Sequence, residues 1–214
     1  LGRLRWVERT TQSPERPLVV RAILAALSEG LGLCERAYVA TALPSLTPQD
    51  RNWLRQAGVT IGPLDIVMDA LLKPQPATLR IALLCVARGR VMLPVPMAGL
   101  GLLDKPTPEL AEGARMAGYR SFGDQMLRID LLNRLSVELH RQRAGNAPFL
   151  PDAALSNRLG IGKATLDRAL RALGFRPMSS AGSDHWKWHG LQHKRPDPRP
   201  DNPAFDALRQ IVRQ

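Results

Sequence analysis

The sequence has few cysteines and no long apolar run. Its two cysteines, Cys34 and Cys85, lie far apart in apolar surroundings, whereas a disulfide scaffold or a cysteine-based zinc site needs more of them at closer spacing. We therefore expect buried free thiols and a reducing, cytoplasmic environment. Because no apolar run approaches the roughly 18 residues of a membrane span, a membrane is not among the expected partners.

A recognisable catalytic constellation is also missing. Neither a Ser-His-Asp nor a Cys-His arrangement nor a pair of carboxylates stands out, so we predict no catalytic residue and no cofactor in this chain. The N-terminal stretch "LGRLRWVERTT" has neither the apolar segment of a signal peptide nor an initiating methionine. From this we expect a fragment of a longer protein.

One stretch imitates a phosphate-cradling loop without completing it. The sequence "GIGKAT" at 160–165 resembles the end of that motif, which also requires a glycine at position 157 and Ser or Thr at position 164. The chain has Asn157 and Ala164 instead. Gly160 is needed for a turn between two predicted helices. We therefore predict no nucleotide-binding loop here.

Three histidines near the C-terminus recur at a spacing of four residues, as metal ligands on one helix face would. However, two tryptophans alternate between the first two histidines in the manner of a β-strand, which would separate the ligands. No cysteine or paired carboxylate lies nearby to complete a site, so we predict no bound metal. The residues concerned are His185, Trp186, Trp188, His189 and His193.

The charge is the first indication of a partner. Lys and Arg number 30 against 19 Asp and Glu, which gives a formal net charge of +11, and the excess is densest in residues 151–214. Most of the cations are arginines, whose planar guanidinium suits phosphate contacts and stacking on bases. A polyanionic partner is therefore expected, with a basic surface that serves only solubility as the alternative.

Helix signals and the density of proline and glycine divide the chain into four parts. Residues 1–90 are predicted to form a helical region with a short extended segment at 59–67, and residues 91–107 a Pro/Gly-rich connector. Residues 108–190 are predicted to form a winged-helix-like module, and residues 191–214 a Pro-rich linker with a short helix. The expected fold class is mainly α, a helical bundle followed by a helix-turn-helix plus a β-hairpin, with short extended segments and no internal repeat.

Caps and apolar spacing predict the individual helices. They are expected over residues 17–29, 35–43, 47–58, 76–88 and 123–143, and a further helix begins at a threonine cap near the end of the connector. The last of the five has the strongest pattern. Its apolar positions at helical spacing are Met126, Ile129, Leu132, Leu135 and Leu139.

The stretch "LSNRLGIGKATLDRALRALGF" at residues 155–175 has the pattern of a DNA-binding helix-turn-helix. A first helix ends at Leu159, Gly160 permits the turn, and a second helix covers residues 163–173. The following segments "FRPM", "SSAGSD" and "HWKWH" predict two strands joined by a polar turn, like the wing of a winged helix. The second helix would face the groove in a DNA reader.

This placement defines the candidate nucleic-acid contacts. Four residues occupy groove-facing positions on the second helix, and the wing supplies one lysine and two tryptophans. The tryptophans suit core packing on one face of the hairpin, with base stacking as the alternative. Two basic residues after the wing complete the set. In chain order the candidates are Lys163, Thr165, Arg168, Arg171, Trp186, Lys187, Trp188, Lys194 and Arg195.

Two longer segments resemble one known family in sequence and in order. They are "LTPQDRNWLRQAGVTIGPLDIVMDALLKPQPATLRIALL" and "ARMAGYRSFGDQMLRIDLLNRLSVEL", the second followed by the helix-turn-helix. Together they are similar to the C-terminal region of bacterial, mainly alphaproteobacterial, relatives of the mitochondrial RNA-degradosome DExH/D-box helicase. The resemblance covers residues 45–177. It is carried by residues 54–62, 70–74, 118–120, 127–135 and 170–175.

The resemblance implies a helicase whose two RecA-like motor domains precede Leu1. In such enzymes the motors bind ATP and Mg²⁺, hydrolyse ATP and translocate on nucleic acid, and the C-terminal helical region packs on them and helps to close a channel around a single strand. The implied partners are single-stranded RNA or DNA and the motor domains of the same chain, and a docking role would add a protein such as an exoribonuclease. Because this chain has no Walker or DExH sequence, the motor's catalytic residues match no position here.

Two other functions stay open on the sequence alone. A winged-helix transcription regulator would read DNA with residues 163–171, although Asp167 would then lie near the phosphates and no dimerisation helix is evident beyond residues 204–212. A protein-docking scaffold would use the basic surface to bind another protein. In that case, charge reversal at Arg168 and Arg171 would leave nucleic-acid affinity unchanged.

Overall fold

The computed structural model of the chain describes Val7, Thr10, Thr11 and residues 15–143, 145–178 and 184–191. The described residues form two compact units, one up to Leu71 and the other beginning at Leu72. Among the described helices, none is both long and apolar enough to cross a membrane. The expected C-terminal helix at 204–212 and the candidates His193, Lys194 and Arg195 lie outside the described residues.

From residue 15 onward, the first unit combines helices with a three-stranded antiparallel sheet. Helix α1 covers Leu18–Glu29 and is followed by strand β1, Leu33–Glu35. Helix α2, Pro48–Gln56, leads into strands β2, Val59–Ile61, and β3, Asp65–Met68. The strand order is β1-β3-β2, so β3 is central, and all four of its residues are buried. The extended segment expected at 59–67 is therefore a hairpin.

The helix predicted over residues 35–43 is wrong. The structure has the end of β1 there, followed by short 3₁₀ turns at Arg36–Val39 and Leu43–Ser45. The apolar residues that indicated a helix instead fill the core, since Val39, Ala42 and Leu43 are all buried. Tertiary packing here overrides local helix propensity.

The second unit begins with the same kinds of elements. Helix α3 covers Pro74–Ala87 and is followed, after a connector without regular structure, by strand β4, Leu102–Asp104. Helix α4, Pro108–Met116, precedes the hairpin of β5, Tyr119–Phe122, and β6, Gln125–Arg128. The sheet order is β4-β6-β5. Both cysteines of the chain, one in each unit, are buried and free, as expected from their surroundings.

Three helices and a second hairpin complete the second unit. Helix α5 covers Ile129–Gln142, and the two short helices of the helix-turn-helix segment are α6, Ala154–Leu159, and α7, Lys163–Ala172. Strands β7, Phe175–Pro177, and β8, Trp186–Trp188, form an antiparallel pair. The predicted order of helices followed by a β-hairpin is thus present.

The strongest predicted helix, at 123–143, is wrong over residues 123–128, which form a turn and strand β6. Gly118 and Gly123 both have positive φ, +93° and +80°, and a helix cannot pass through that conformation. Met126 is buried in the sheet rather than on the apolar stripe of a helix. The helix begins only at Ile129, and its apolar positions from there onward are buried as predicted.

The turn between α6 and α7 forms as the sequence predicts. Asp152 accepts a hydrogen bond from the backbone N–H of Ala154 at 2.9 Å, which satisfies a free donor in the first turn of α6. Gly160 ends α6 in the left-handed conformation, where a glycine has no steric penalty. Ile161 is buried in the following turn.

The two units repeat one arrangement of a capped helix followed by a hairpin, so the prediction that the chain has no internal repeat is wrong. In each case a threonine caps the helix, a proline is its first residue, and a glycine with positive φ directly precedes the hairpin. The corresponding residues are Thr47 and Thr107, Pro48 and Pro108, Gly58 and Gly118.

The strand register of the repeat is the same in both units. Cys34 lies opposite Ile66 in the first sheet, and Leu103 opposite Met126 in the second. Backbone bonds at the strand ends also correspond. Arg36 N–H donates to the carbonyl of Leu64, and Lys105 N–H donates to that of Asp124. The repeat therefore extends over β1 to β3 and β4 to β6. Each position in the second sheet can be compared with the corresponding position in the first.

Gly113→Ala is expected to destabilise the protein although Gly113 lies inside helix α4. In an exposed helix, alanine is more favourable than glycine by about 1 kcal/mol. A Cβ at position 113, however, would lie 2.0 Å from the carbonyl oxygen of Pro94, and moving that backbone costs about 1–3 kcal/mol. Urea unfolding measures the sign, with Arg115→Ala on the exposed face of α4 as control. A more stable Gly113→Ala variant would show that the connector is not packed on α4.

Candidate nucleic-acid interface

Helix α7, the predicted reading helix, is held against the β5–β6 hairpin at its N-terminal end. Thr165 is 4% exposed, and its hydroxyl donates to the carbonyl of Phe122 at 3.5 Å. Arg168 Nη1 donates to the same carbonyl at 3.4 Å. The backbone N–H of Gly162 donates to Gln125 Oε1 at 2.9 Å. Of the four groove-facing candidates, Thr165 is therefore buried in the protein's own packing, and Arg168 is exposed but bound to the same carbonyl.

The repeat supports a structural role for Arg168. In the first unit, Arg36 Nη1 donates to the carbonyl of Gly62 at 2.9 Å, the position that corresponds to Phe122. Each hairpin thus has an arginine bound to the same carbonyl. In the first unit that arginine follows β1, whereas in the second it comes from α7. Burial, and next the nearby Arg51, lower the pKa of Arg36.

Lys163 is exposed at the start of α7 and already has an acidic partner. Its Nζ lies 3.1 Å from Asp184 Oδ1, and both side chains are about 70% exposed, at 73% and 70%. Exposed ion pairs of this kind stabilise proteins by about 0–1 kcal/mol. Lys163 is therefore accessible, but its charge is partly neutralised by Asp184.

The predicted wing forms an antiparallel hairpin next to α7. Phe175 lies opposite Trp188, and Pro177 opposite Trp186. Trp186 is 6% exposed, and its backbone exchanges two hydrogen bonds with Phe149. Trp186 therefore packs in the interior, as the core interpretation of the tryptophans expects, whereas Trp188 is only half-buried.

Trp188 lies in a cluster with two residues from the end of α5. The guanidinium carbon of Arg143 is 4.5 Å from the centre of the Trp188 ring, and the ring of His140 meets it edge-on at 5.4 Å. Arg143 Nη1 also donates to the carbonyl of Gly145 at 2.9 Å. Among the described residues, Trp188 Nε1, Arg143 Nε and His140 Nδ1 have no hydrogen-bond partner.

Sequence reasoning missed His140 and Arg143. The signal that could have found them is their spacing of three residues in "ELHRQR", since His140 lies in the last turn of α5 and Arg143 directly follows the helix. Their proximity to Trp188 depends on the hairpin returning to α5. Local sequence patterns do not show that long-range contact.

A groove opens beside this cluster. Its volume is about 490 Å³, within the usual range for ligand sites. Two of its lining residues are cationic, and no carboxylate lines it among the residues that the structure describes. The lining residues are Arg143, Gly145, Asn146, Lys187, Trp188 and His189.

A second arginine, Arg171, lies near the other tryptophan of β8, Trp186. Its guanidinium carbon is 5.8 Å from the centre of the Trp186 ring. Arg143, Arg171 and Lys187 form no ion pair within the described part of the chain. We call these three cations and the two tryptophans of β8 the basic–aromatic strip.

His140 is expected to make stability depend on pH. Burial, and next the charge of Arg143, lower the pKa of His140, so the unfolded chain binds this proton more readily than the folded one. The stabilising effect is therefore complete above pH about 6.5 and is lost as the pH falls below it. Between about pH 7.5 and 5.5, urea unfolding of the wild type should lose more stability than that of His140→Gln. His185→Gln, at an exposed position, is the control and should behave like the wild type. Equal pH dependence in wild type and His140→Gln would show that His140 does not cause the loss of stability.

Comparison of the chain with protein-family models, with curated proteins and with solved structures finds no match in any of the three. The geometry of the second unit is therefore the main basis for proposing a function.

Proposed function

We propose that the chain is a nucleic-acid-binding accessory domain that guides single-stranded RNA or DNA through phosphate contacts and stacking. The observation that carries the proposal is the basic–aromatic strip, whose three cations form no ion pair with any described residue and two of which lie against tryptophan rings. Proteins that bind single strands without sequence preference combine cations that follow the backbone with aromatic or guanidinium planes on which bases stack. The net charge of +11 supports a polyanionic partner.

A sequence-reading regulator fits the second unit less well. A DNA-reading helix presents the residues of its N-terminal half to base edges in the major groove. In α7 that half is bound to the β5–β6 hairpin through Gly162, Thr165 and Arg168. Reading with Thr165 and Arg168 would require breaking their hydrogen bonds to the Phe122 carbonyl. The order of helices and hairpin resembles that of a winged helix. In our proposal, however, the β7–β8 hairpin and not α7 faces the nucleic acid.

The resemblance to the helicase family supplies the wider setting of the proposal. In that setting the chain braces the RecA-like motor of an ATP-dependent helicase, and ATP and Mg²⁺ bind to the motor. This setting predicts that the chain alone hydrolyses no ATP. The exoribonuclease partner and the cytoplasmic location stay predictions. The observations on the second unit do not depend on this setting.

Fluorescence anisotropy tests the proposal. We expect a labelled single-stranded RNA and its DNA equivalent, each about 12 nucleotides long and so within the site sizes of small single-strand-binding modules, to bind more tightly than a random duplex. Affinity should change little with sequence, because phosphate contacts carry no sequence information.

Two outcomes would contradict the proposal. Tight binding of one defined duplex at physiological salt, with single-strand binding absent, would favour the regulator. Absence of binding to every nucleic acid would favour the docking scaffold. For that alternative, Arg171→Glu is a cleaner probe than a variant that also changes Arg168, because Arg168 holds the β5–β6 hairpin.

A further inference from the structure

The groove beside Trp188 has the size and lining of a site for one nucleotide. Its volume of about 490 Å³ lies within the range of about 300–1,000 Å³ that is usual for small-molecule sites. The two cations at its border, Arg143 and Lys187, come from different elements, the end of α5 and strand β8. A dianionic or monoanionic phosphate placed between them would meet positive charge from two directions.

Arg143 is held in place before any ligand binds. Its guanidinium stacks on the Trp188 ring at 4.5 Å, and its Nη1 is bound to the Gly145 carbonyl. A side chain that is already ordered loses less conformational entropy when it binds. The stack also presents a planar surface, and bases stack on guanidinium planes as well as on aromatic rings.

The remaining lining suits a base without selecting one. Asn146 is exposed at the border of the groove, and its amide has both donors and an acceptor. It can therefore bind the polar edge of any base. Gly145 has φ +59°, and no atom of the described residues lies within 4 Å of where its Cβ would be, so a strand meets no described side chain on this side of the groove.

We propose that this groove binds one nucleotide of a single strand, with the phosphodiester between Arg143 and Lys187 and the base against the Arg143–Trp188 stack. The inference deepens the proposed function and rests on it. It specifies a ribonucleoside or deoxyribonucleoside monophosphate unit as the ligand. A nucleotide and free phosphate both have an anionic phosphate group, but only the nucleotide has a base.

The test uses 5-fluorotryptophan incorporated into the whole chain and ¹⁹F NMR. The chain has four tryptophans, and Trp188→Phe assigns the resonance of interest. We expect uridine monophosphate and a single-stranded oligouridylate to shift the Trp188 resonance saturably and to leave that of Trp53, in the other unit, in place. Inorganic phosphate at the same concentration should shift it much less.

A lysine variant tests the phosphate contact without changing the tryptophan. Lys187→Ala should weaken uridine monophosphate binding about tenfold, the equivalent of 1.4 kcal/mol, with an unchanged tryptophan spectrum in the free state. Lys73→Ala is the matched control, because Lys73 is exposed just before α3 in the same unit and does not line the groove. Its affinity should equal that of the wild type.

The outcomes separate this inference from the function on which it rests. If the oligouridylate binds by anisotropy while the Trp188 resonance stays in place, the nucleotide site is wrong and the proposed function stands. If inorganic phosphate shifts the resonance as far as uridine monophosphate does, the groove is an anion site without a base. If no single strand binds by anisotropy, both proposals fail.

Discussion

Gly174→Ala is expected to lower the free energy of unfolding more than Gly113→Ala or Gly89→Ala does, through its effect on strands β7 and β8. Gly174 has φ +89°, and a Cβ there would lie 2.3 Å from the carbonyl oxygen of Gly190. The backbone conformation alone costs a non-glycine residue about 1–2 kcal/mol, and relieving a collision with another backbone segment costs about 1–3 kcal/mol more. We therefore expect a loss of about 3 kcal/mol in the free energy of unfolding, measured with urea.

A second glycine separates the cost of the backbone conformation from the cost of the collision. Gly89 also has positive φ, +60°, but has no atoms within 4 Å of a Cβ. Gly89→Ala should therefore lose only the conformational part, about 1 kcal/mol. Because Gly174 also accepts a hydrogen bond from the N–H of His189, its replacement should displace the groove residues and weaken binding of single strands. Equal losses for the two variants would show that Gly174 and Gly190 are not in contact.

Charge reversal at Arg143 and Lys187 is expected to have the largest effect on binding. The double variant Arg143→Glu with Lys187→Glu should weaken single-strand binding about 100-fold, since each lost phosphate contact is expected to change affinity about tenfold. The free energy of unfolding should fall by only about 1–2 kcal/mol, because Arg143 loses its stacking on Trp188 and its hydrogen bond to Gly145, whereas Lys187 forms no ion pair among the residues that the structure describes. Anisotropy with the labelled RNA measures the loss, and circular dichroism checks the fold.

The matched control makes the same change in net charge elsewhere in the second unit. Arg115 and Arg134 are exposed on α4 and α5 and do not line the groove. Arg115→Glu with Arg134→Glu should weaken binding by no more than about threefold, the part due to long-range attraction. If both double variants lose affinity equally, the strand binds to the overall positive charge and not to the basic–aromatic strip.

Local sequence signals were sufficient wherever a cap or a turn residue decides the structure. Thr47 and Thr107 cap α2 and α4 as expected, and Gly160 makes the turn before α7. The tryptophan alternation correctly indicated a strand at β8. These features depend on a few neighbouring residues, which is why the sequence alone predicts them.

Features that depend on distant contacts could not be predicted in this way. Met126 has the right spacing for the stripe of α5 but pairs in the sheet opposite Leu103. Thr165 and Arg168 occupy groove-facing positions of a helix-turn-helix, yet Thr165 is buried against the β5–β6 hairpin, and Arg168, although exposed, donates to the Phe122 carbonyl. The repeat of the two units preserves caps, turns and register with few shared residues. The threonine, proline and glycine at 47, 48 and 58 recur at 107, 108 and 118, but so few shared residues are recognised as a repeat only once the strand pairing shows it.

The salt dependence of single-strand binding tests the central claim most directly. For single strands, the slope of log K against log salt concentration is about −0.7 for each phosphate contact, so three contacts by Arg143, Arg171 and Lys187 predict a slope of about −2. The same titration on Arg143→Ala with Lys187→Ala should give a slope of about −0.7, because one contact remains. A wild-type slope near zero, or a slope unchanged in the double variant, would contradict binding of a single strand by the basic–aromatic strip.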